Sequence, residues 1–155
     1  MKYLFLLFSL SIISPLILAD DSVATDGLNP FILIARIQIK EGMVDNYLSI
    51  ADEVDKAVEA SEPGMLFHNF DADPIDPLAY TWTEIYKNSE AFLKHNANPP
   101  VGEYVTKHAE LGDGFSIEIY GNVSQDVIDA INALNIPLKH FKTSTVGYVR
   151  EEYFK

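Results

Sequence analysis

Glu84 and the histidines His68, His95, His108 and His140 are the side chains of this sequence best suited to moving protons, and several of them lie among aromatic residues. An imidazole ionises near pH 6.5 when unperturbed, so His95 or His108 can act as an acid or base at neutral pH. Glu84 alternates with Tyr80, Trp82 and Tyr86 along one extended run, which puts all four on one face. A carboxylate turned inward on that face must be paired or hold its proton, and Arg36 on the first expected strand, read as a neighbour in the sheet, is its expected mate. Trp82, Tyr80, Tyr86 and Phe67 can wall a pocket for an aromatic ligand or simply fill a core. The plain alternatives are structural: His95 packed on a helix surface, His108 satisfied at the core edge, Glu84 a pairing residue. His68 and Asn69 are neighbours on one expected strand, so at most one faces a pocket, and His140 carries no assignment.

Other chemistries are excluded by what is missing. There are no cysteines, so there is no thiol nucleophile, disulfide, or cysteine-based zinc or iron–sulfur site. No two histidines stand at a ligand spacing such as H-x-x-x-H, and no metal is expected. G-x-S-x-G, P-loop and G-x-G-x-x-G patterns are absent, which removes the anchors for hydrolase and nucleotide-binding readings. With 23 acidic against 11 basic residues the net charge is −12, so nucleic acid and anionic membrane surfaces are unfavourable partners.

These residues need elements to position them. Residues 1–19 have a lysine start, an apolar middle broken by Pro15 and a small residue, Ala19, before two aspartates. That layout is a secretory signal peptide, with export and a soluble mature chain as the expectation. Residues 20–30 read as a disordered lead-in. Phe31–Lys40 reads as a strand with Leu33, Ala35, Ile37 and Ile39 on an apolar face. Val44–Ser61 has helical periodicity, with Val44, Tyr47, Leu48, Ala51, Val54 and Val58 on one side. Strands over 65–71 and 79–86 follow, then a helix capped by Asn88 or Ser89. Pro99-Pro100 end that helix, and another runs to Leu111. A strand over 115–120, a helix capped by Ser124, and short strands over 137–141 and 145–149 complete the chain. The order β-α-β-β-α-β predicts an α+β, ferredoxin-like fold with an antiparallel sheet. Helices on one side leave the other sheet face apolar and open, and a two-fold partner is the cheapest cover.

Three segments carry a family resemblance. One is the first strand with Gly42 and the amphipathic helix. The second is Glu62-Pro63-Gly64-Met65-Leu66. The third runs from Thr83 to Phe92 and includes His95 shortly after. In order and spacing they resemble the antibiotic biosynthesis monooxygenase family of small dimeric α/β barrels. The resemblance implies a domain over residues 31–121 with an extension over 122–155. It also implies a homodimer and a cofactor-independent monooxygenase acting on a small aromatic, phenolic or quinol substrate. His95 stands where the family often has a histidine on the second helix. His108 stands near the place of the iron-ligating histidine of a haem-degrading branch. Ala35 and Tyr86 occupy the positions of that branch's asparagine and tryptophan. The implied site is therefore His95, His108 and Glu84 for proton transfer and Trp82, Tyr80, Tyr86 and Phe67 for binding, with no cofactor. The alternative is a non-catalytic envelope protein that binds a hydrophobic or haem-like ligand.

Overall fold

A computed structural model describes residues 27–150; the expected signal peptide lies outside them. The elements are β1 (Phe31–Ile39), α1 (Val44–Ser61), β2 (Met65–Ala72), β3 (Ala79–Tyr86), α2 (Ser89–Asn96), α3 (Pro99–Leu111), β4 (Gly112–Tyr120), α4 (Gln125–Ala133) and β5 (Leu138–Phe141). The sheet order is β2-β3-β1-β4-β5, antiparallel except for the parallel β4–β5 pair. This is the ferredoxin-like α+β arrangement with one added edge strand. The described end of the expected lead-in is tied down, with Asn29 bonding to Lys87 and Asn122 through its backbone N–H and its side chain.

β1 sits at the centre because its period-two pattern buries Phe31, Leu33, Ala35, Ile37 and Ile39 against the helices. Gly42, at φ +78°, lets the chain reverse directly into α1. α1 packs through Tyr47, Ile50, Ala51, Val54 and Val58, a stripe at three- and four-residue steps. Leu48, expected on that stripe, is 39% exposed, and Ile50 takes the inward place. Asn88 caps α2 by accepting from the Ala91 N–H, and Pro99 and Pro100 open α3, where their missing N–H groups cost nothing.

Three local expectations change. β4 begins at Gly112 rather than Phe115, because a register shift opposite Gln38 and Ile39 takes the Gly112-Asp113-Gly114 run into the sheet. Ser124 precedes α4 in extended geometry, but its hydroxyl makes no cap bond; its own N–H donates to Ser89 Oγ. Thr145–Val149 forms no strand, and Gly147 at φ +149° interrupts the run.

The second sheet face is apolar at one end only, around Ile32, Ile85, Phe67, Tyr120 and Phe141, with Tyr120 and Phe141 stacked 4.6 Å apart. Further along, Arg36 and Lys139 converge on Glu118. Residues 143–150 border the apolar end and enclose a cleft of about 570 Å³ with it. Among the described residues no helix is long and apolar enough to cross a membrane.

Two glycines of this frame should respond oppositely to alanine. A Cβ on Gly112 would overlap the His108 imidazole, whereas one on Gly102, on the exposed side of α3, meets nothing within 4 Å. Gly112→Ala should cost roughly 1–3 kcal/mol by overpacking. Gly102→Ala should add about 0.5–1 kcal/mol through helix propensity. Urea denaturation of both variants checks this, and equal effects would contradict the packing described.

Candidate active site

The layer between helices and sheet opens along the seam where α1 passes the edge strand β2. A cleft of about 380 Å³ lies there, lined by Leu48, Asp52 and Asp55 of α1, His68 and Phe70 of β2, and Trp82 of β3. The placement of His68 depends on an irregularity. Met65 pairs with Tyr86 and Phe67 with Ile85, so Leu66 is an extra residue. The bulge turns Phe67 to the open sheet face and His68 and Phe70 toward the helices.

His68 is held on three sides. Its Nδ1 lies 2.7 Å from Asp55 Oδ1. Its ring stacks on Trp82 with centroids 4.2 Å apart and planes 13° from parallel. Its Nε2 faces Glu84 Oε1 at 3.9 Å, an ion-pair rather than a hydrogen-bond distance. Glu84 in turn accepts a 2.6 Å bond from the Tyr86 hydroxyl. Burial, then the Glu84 carboxylate, pushes the Tyr86 phenol far above its usual range, so it stays a donor.

His95 adjoins this group, its ring 6.0 Å from His68 and 5.7 Å from Tyr86. Its Nδ1 bonds Glu62 at 2.9 Å, and Asn98 donates to the other Glu62 oxygen at 2.6 Å. Burial pulls the His95 pKa down, but Glu62 and Glu84 outweigh it and the net shift is upward. Burial raises Glu62, and the bonds from His95 and Asn98 more than reverse that, so its pKa is lowered. Both shifts favour a charged pair, with side chains only 10% and 7% exposed.

A second polar group runs from Trp82 through the core. The indole Nε1–H donates to Tyr104 Oη at 2.8 Å, the Tyr104 and Tyr47 hydroxyls are 2.8 Å apart, and Tyr47 Oη is 2.7 Å from His108 Nδ1. Burial pushes Tyr104 up to about 12 and Tyr47 higher still. Burial, then the Lys40 cation, lowers His108, so its ring is neutral at pH 7.

Of the residues singled out in the sequence, Glu84, Tyr86 and His95 meet in the first group, Trp82 walls the cleft, and His108 ends the second group. Tyr80 packs on Phe70, outside both hydrogen-bonded groups. Arg36 is not the mate of Glu84: even positions of β1 face away from the helices, and Arg36 bonds Glu118 on the open face. His68, Asp55 and Glu62 were not selected. Strict alternation from Met65 turns His68 outward, and pairing between a helix and a distant strand leaves no local pattern. Among the described residues no group of three or more His, Asp or Glu is placed to hold a metal.

The Glu62–His95 pair makes stability depend on pH in a defined way. The raised His95 pKa contributes stability fully below its ordinary value of 6.5, and that share is lost as pH rises through the folded value. The lowered Glu62 pKa contributes stability above its ordinary value of 4.5, and that share is lost as pH falls through the folded value. Unfolding free energy should therefore peak between these limits and fall on either side. Glu62→Gln should cost about 3 kcal/mol by leaving the buried imidazolium without its partner, and should flatten the alkaline limb. Denaturant titrations across pH would show an unchanged alkaline limb in the variant if the pairing is wrong.

Comparison with solved structures finds the same fold in other organisms. A candidate antibiotic biosynthesis monooxygenase from Bacteroides thetaiotaomicron VPI-5482 superposes with a TM-score of 0.54 at 24% identity, over 57% of this chain and 85% of that one. Another, from Caulobacter crescentus CB15, gives 0.58 at 16% identity, over 60% and 89%. A conserved protein from Methanosarcina mazei Go1 gives 0.56 at 18% identity, over 60% and 92%. No curated protein matches the sequence. The family model described as antibiotic biosynthesis monooxygenase matches residues 30–107, which takes in β1 through most of α3 and every residue of the cleft. This chain belongs to the antibiotic biosynthesis monooxygenase family.

Proposed function

We propose that this protein is a cofactor-independent monooxygenase that oxidises a small aromatic, phenolic or quinol substrate in the α1–β2 cleft. The observation that carries the reading is His68, laid flat on Trp82 and held by Asp55 at the cleft wall. Nε2 faces Glu84 on the inner side, so the edge of His68 turned to the cleft is Nδ1 with Asp55, and this imidazole–carboxylate pair can take up a proton from a bound hydroxyl. Leu48 and Phe70 offer apolar contact to a ring, with Trp82 packed behind His68 and Phe70, and the cleft volume suits one or two fused rings. Deprotonation makes the substrate electron-rich enough to supply all four electrons that dioxygen takes up, as when a phenol becomes a quinone or a quinol a hydroxyquinone. One oxygen atom enters the substrate and the other leaves as water. Glu84, Tyr86 and His95 hold His68 from behind rather than meeting the substrate.

The same proposal includes a homodimer and export. The apolar end of the open sheet face supports pairing of two copies across it. The lysine start, the apolar middle and Ala19 before two aspartates support export with cleavage after Ala19, and N-terminal sequencing of secreted protein would locate or refute that cut. The second reading, an envelope protein that binds a hydrophobic ligand, is favoured by the apolar cleft beneath residues 143–150.

Purified protein given electron-rich phenols and quinols, with no added metal or flavin, should consume oxygen. His68→Ala should lower kcat/KM by roughly 10²–10⁴ while the far-ultraviolet circular dichroism is unchanged. Asp55→Asn should lower it less. Full activity in His68→Ala would remove His68 as the base, and ligand binding without oxygen uptake in the unsubstituted protein would favour the second reading. Ile32→Glu, on the open face, should shift sedimentation from dimer to monomer; a monomer at every concentration of unsubstituted protein would refute the pairing.

A further inference from the structure

We infer that Trp82, Tyr104, Tyr47 and His108 form a one-electron relay that drains oxidising equivalents from the cleft wall into the core. The relay is a property of the protein alone. It uses the position of Trp82 at the cleft and not the identity of any substrate, so it can fail or stand separately from the oxygenase reading.

Proton accounting gives the chain a direction. An indole N–H can only donate, so Tyr104 Oη accepts from Trp82. If Tyr104 then donates to Tyr47, and Tyr47 to His108 Nδ1, every proton in the chain has an acceptor. In the opposite sense, with His108 donating to Tyr47 and Tyr47 to Tyr104, the Tyr104 oxygen receives two protons and its own has nowhere to go. A donor stranded in this buried position costs about 1–3 kcal/mol. The favoured arrangement leaves His108 neutral, with its proton on Nε2 and a bare Nδ1 facing Tyr47. Burial of the ring and the nearby Lys40 cation act in the same direction.

That bare nitrogen separates a redox-active tyrosine from one that only packs. A phenol that loses an electron becomes a strong acid, so its oxidation at neutral pH requires a base at hydrogen-bond distance. His108 Nδ1 is that base, 2.7 Å from Tyr47 Oη. The rings are close enough for direct electron exchange, with centroids 6.1 Å apart for Trp82 and Tyr104 and 5.8 Å for Tyr104 and Tyr47.

The step balances as follows. A one-electron oxidant at the cleft, such as a radical derived from substrate or dioxygen, takes one electron from the Trp82 indole and is reduced. The tyrosine pair returns one electron to Trp82. One phenolic proton moves along the chain to His108 Nδ1, leaving a neutral tyrosyl radical beside an imidazolium. A one-electron reductant from solution restores the tyrosinate, which recovers the proton from His108. Radical damage to the cleft wall is thereby moved to a site that can be repaired.

Trp82 is the only tryptophan, so it can be oxidised selectively. A laser flash at the red edge of indole absorption photoionises it in the full-length protein, and an added scavenger removes the ejected electron. The tryptophan radical spectrum should decay into that of a neutral tyrosyl radical. Tyr104→Phe, and separately His108→Asn, should lengthen the tryptophan radical's lifetime by roughly tenfold or more. Tyr80→Phe and Tyr86→Phe should leave it unchanged: Tyr80 lies outside the chain, and Tyr86 is four strand residues away, about 13 Å. A lifetime insensitive to both Tyr104→Phe and His108→Asn would overturn the relay. So would the absence of a tyrosyl spectrum in the unsubstituted protein, which decides the matter even if a variant fails to fold.

Discussion

Polar groups taken between the sheet and its helices must find partners there, because water cannot reach them. This requirement organises the layer. Glu84, Tyr86, His95, His108, Tyr47, Tyr104 and the indole of Trp82 are all buried, and each is hydrogen-bonded or ion-paired to another side chain. A partly satisfied network would be worse than an apolar core, since a stranded donor or charge costs more than a bond returns. The geometry of the cleft follows. His68 can be held against Trp82 only because Glu84 behind it is already engaged by Tyr86, and Trp82 can wall the cleft only because Tyr104 takes its N–H.

The two polar groups differ in how they meet this requirement. Around Glu62 and His95 the solution is opposite charge, with Asn98 completing the carboxylate's bonds. Around Tyr47 it is a row of neutral hydroxyls ending on an uncharged imidazole. A charged pair holds a position at the cost of sensitivity to acid and alkali, whereas a neutral row lets a proton shift along it with little change in net charge. Trp82 touches both, stacked on His68 with one face and bonded to Tyr104 through its edge.

Much of the frame was legible in the sequence because it rests on local periodicity. β1, α1 and β3 follow their apolar repeats, and the Asn88 cap and the proline pair mark the ends of α2 and α3. The inward face of β3 could be read directly, which is why Trp82, Glu84 and Tyr86 were picked out. The site itself was less legible. His68 escaped because a single extra residue, Leu66, reverses the phase of β2, and nothing in the local pattern announces it. Asp55 and Glu62 escaped because their partners lie on other elements, 13 and 33 residues away. Leu48, misplaced on the buried stripe of α1, turned out to be rim: the cleft leaves that turn of the helix without a neighbour to pack on.

The Leu66 bulge has a consequence beyond its effect on His68. β2 is an outer strand, and a long flat outer strand invites other chains to add to it and build fibres. Here the bulge breaks the repeat of exposed N–H and C=O groups near the strand's start, and Asp71 puts a charge near its end. The opposite margin, β5, has only four residues. Neither margin offers an incoming strand a full ladder, so the same irregularity that exposes an imidazole to the cleft also protects an acidic, cysteine-free protein from edge-to-edge polymerisation.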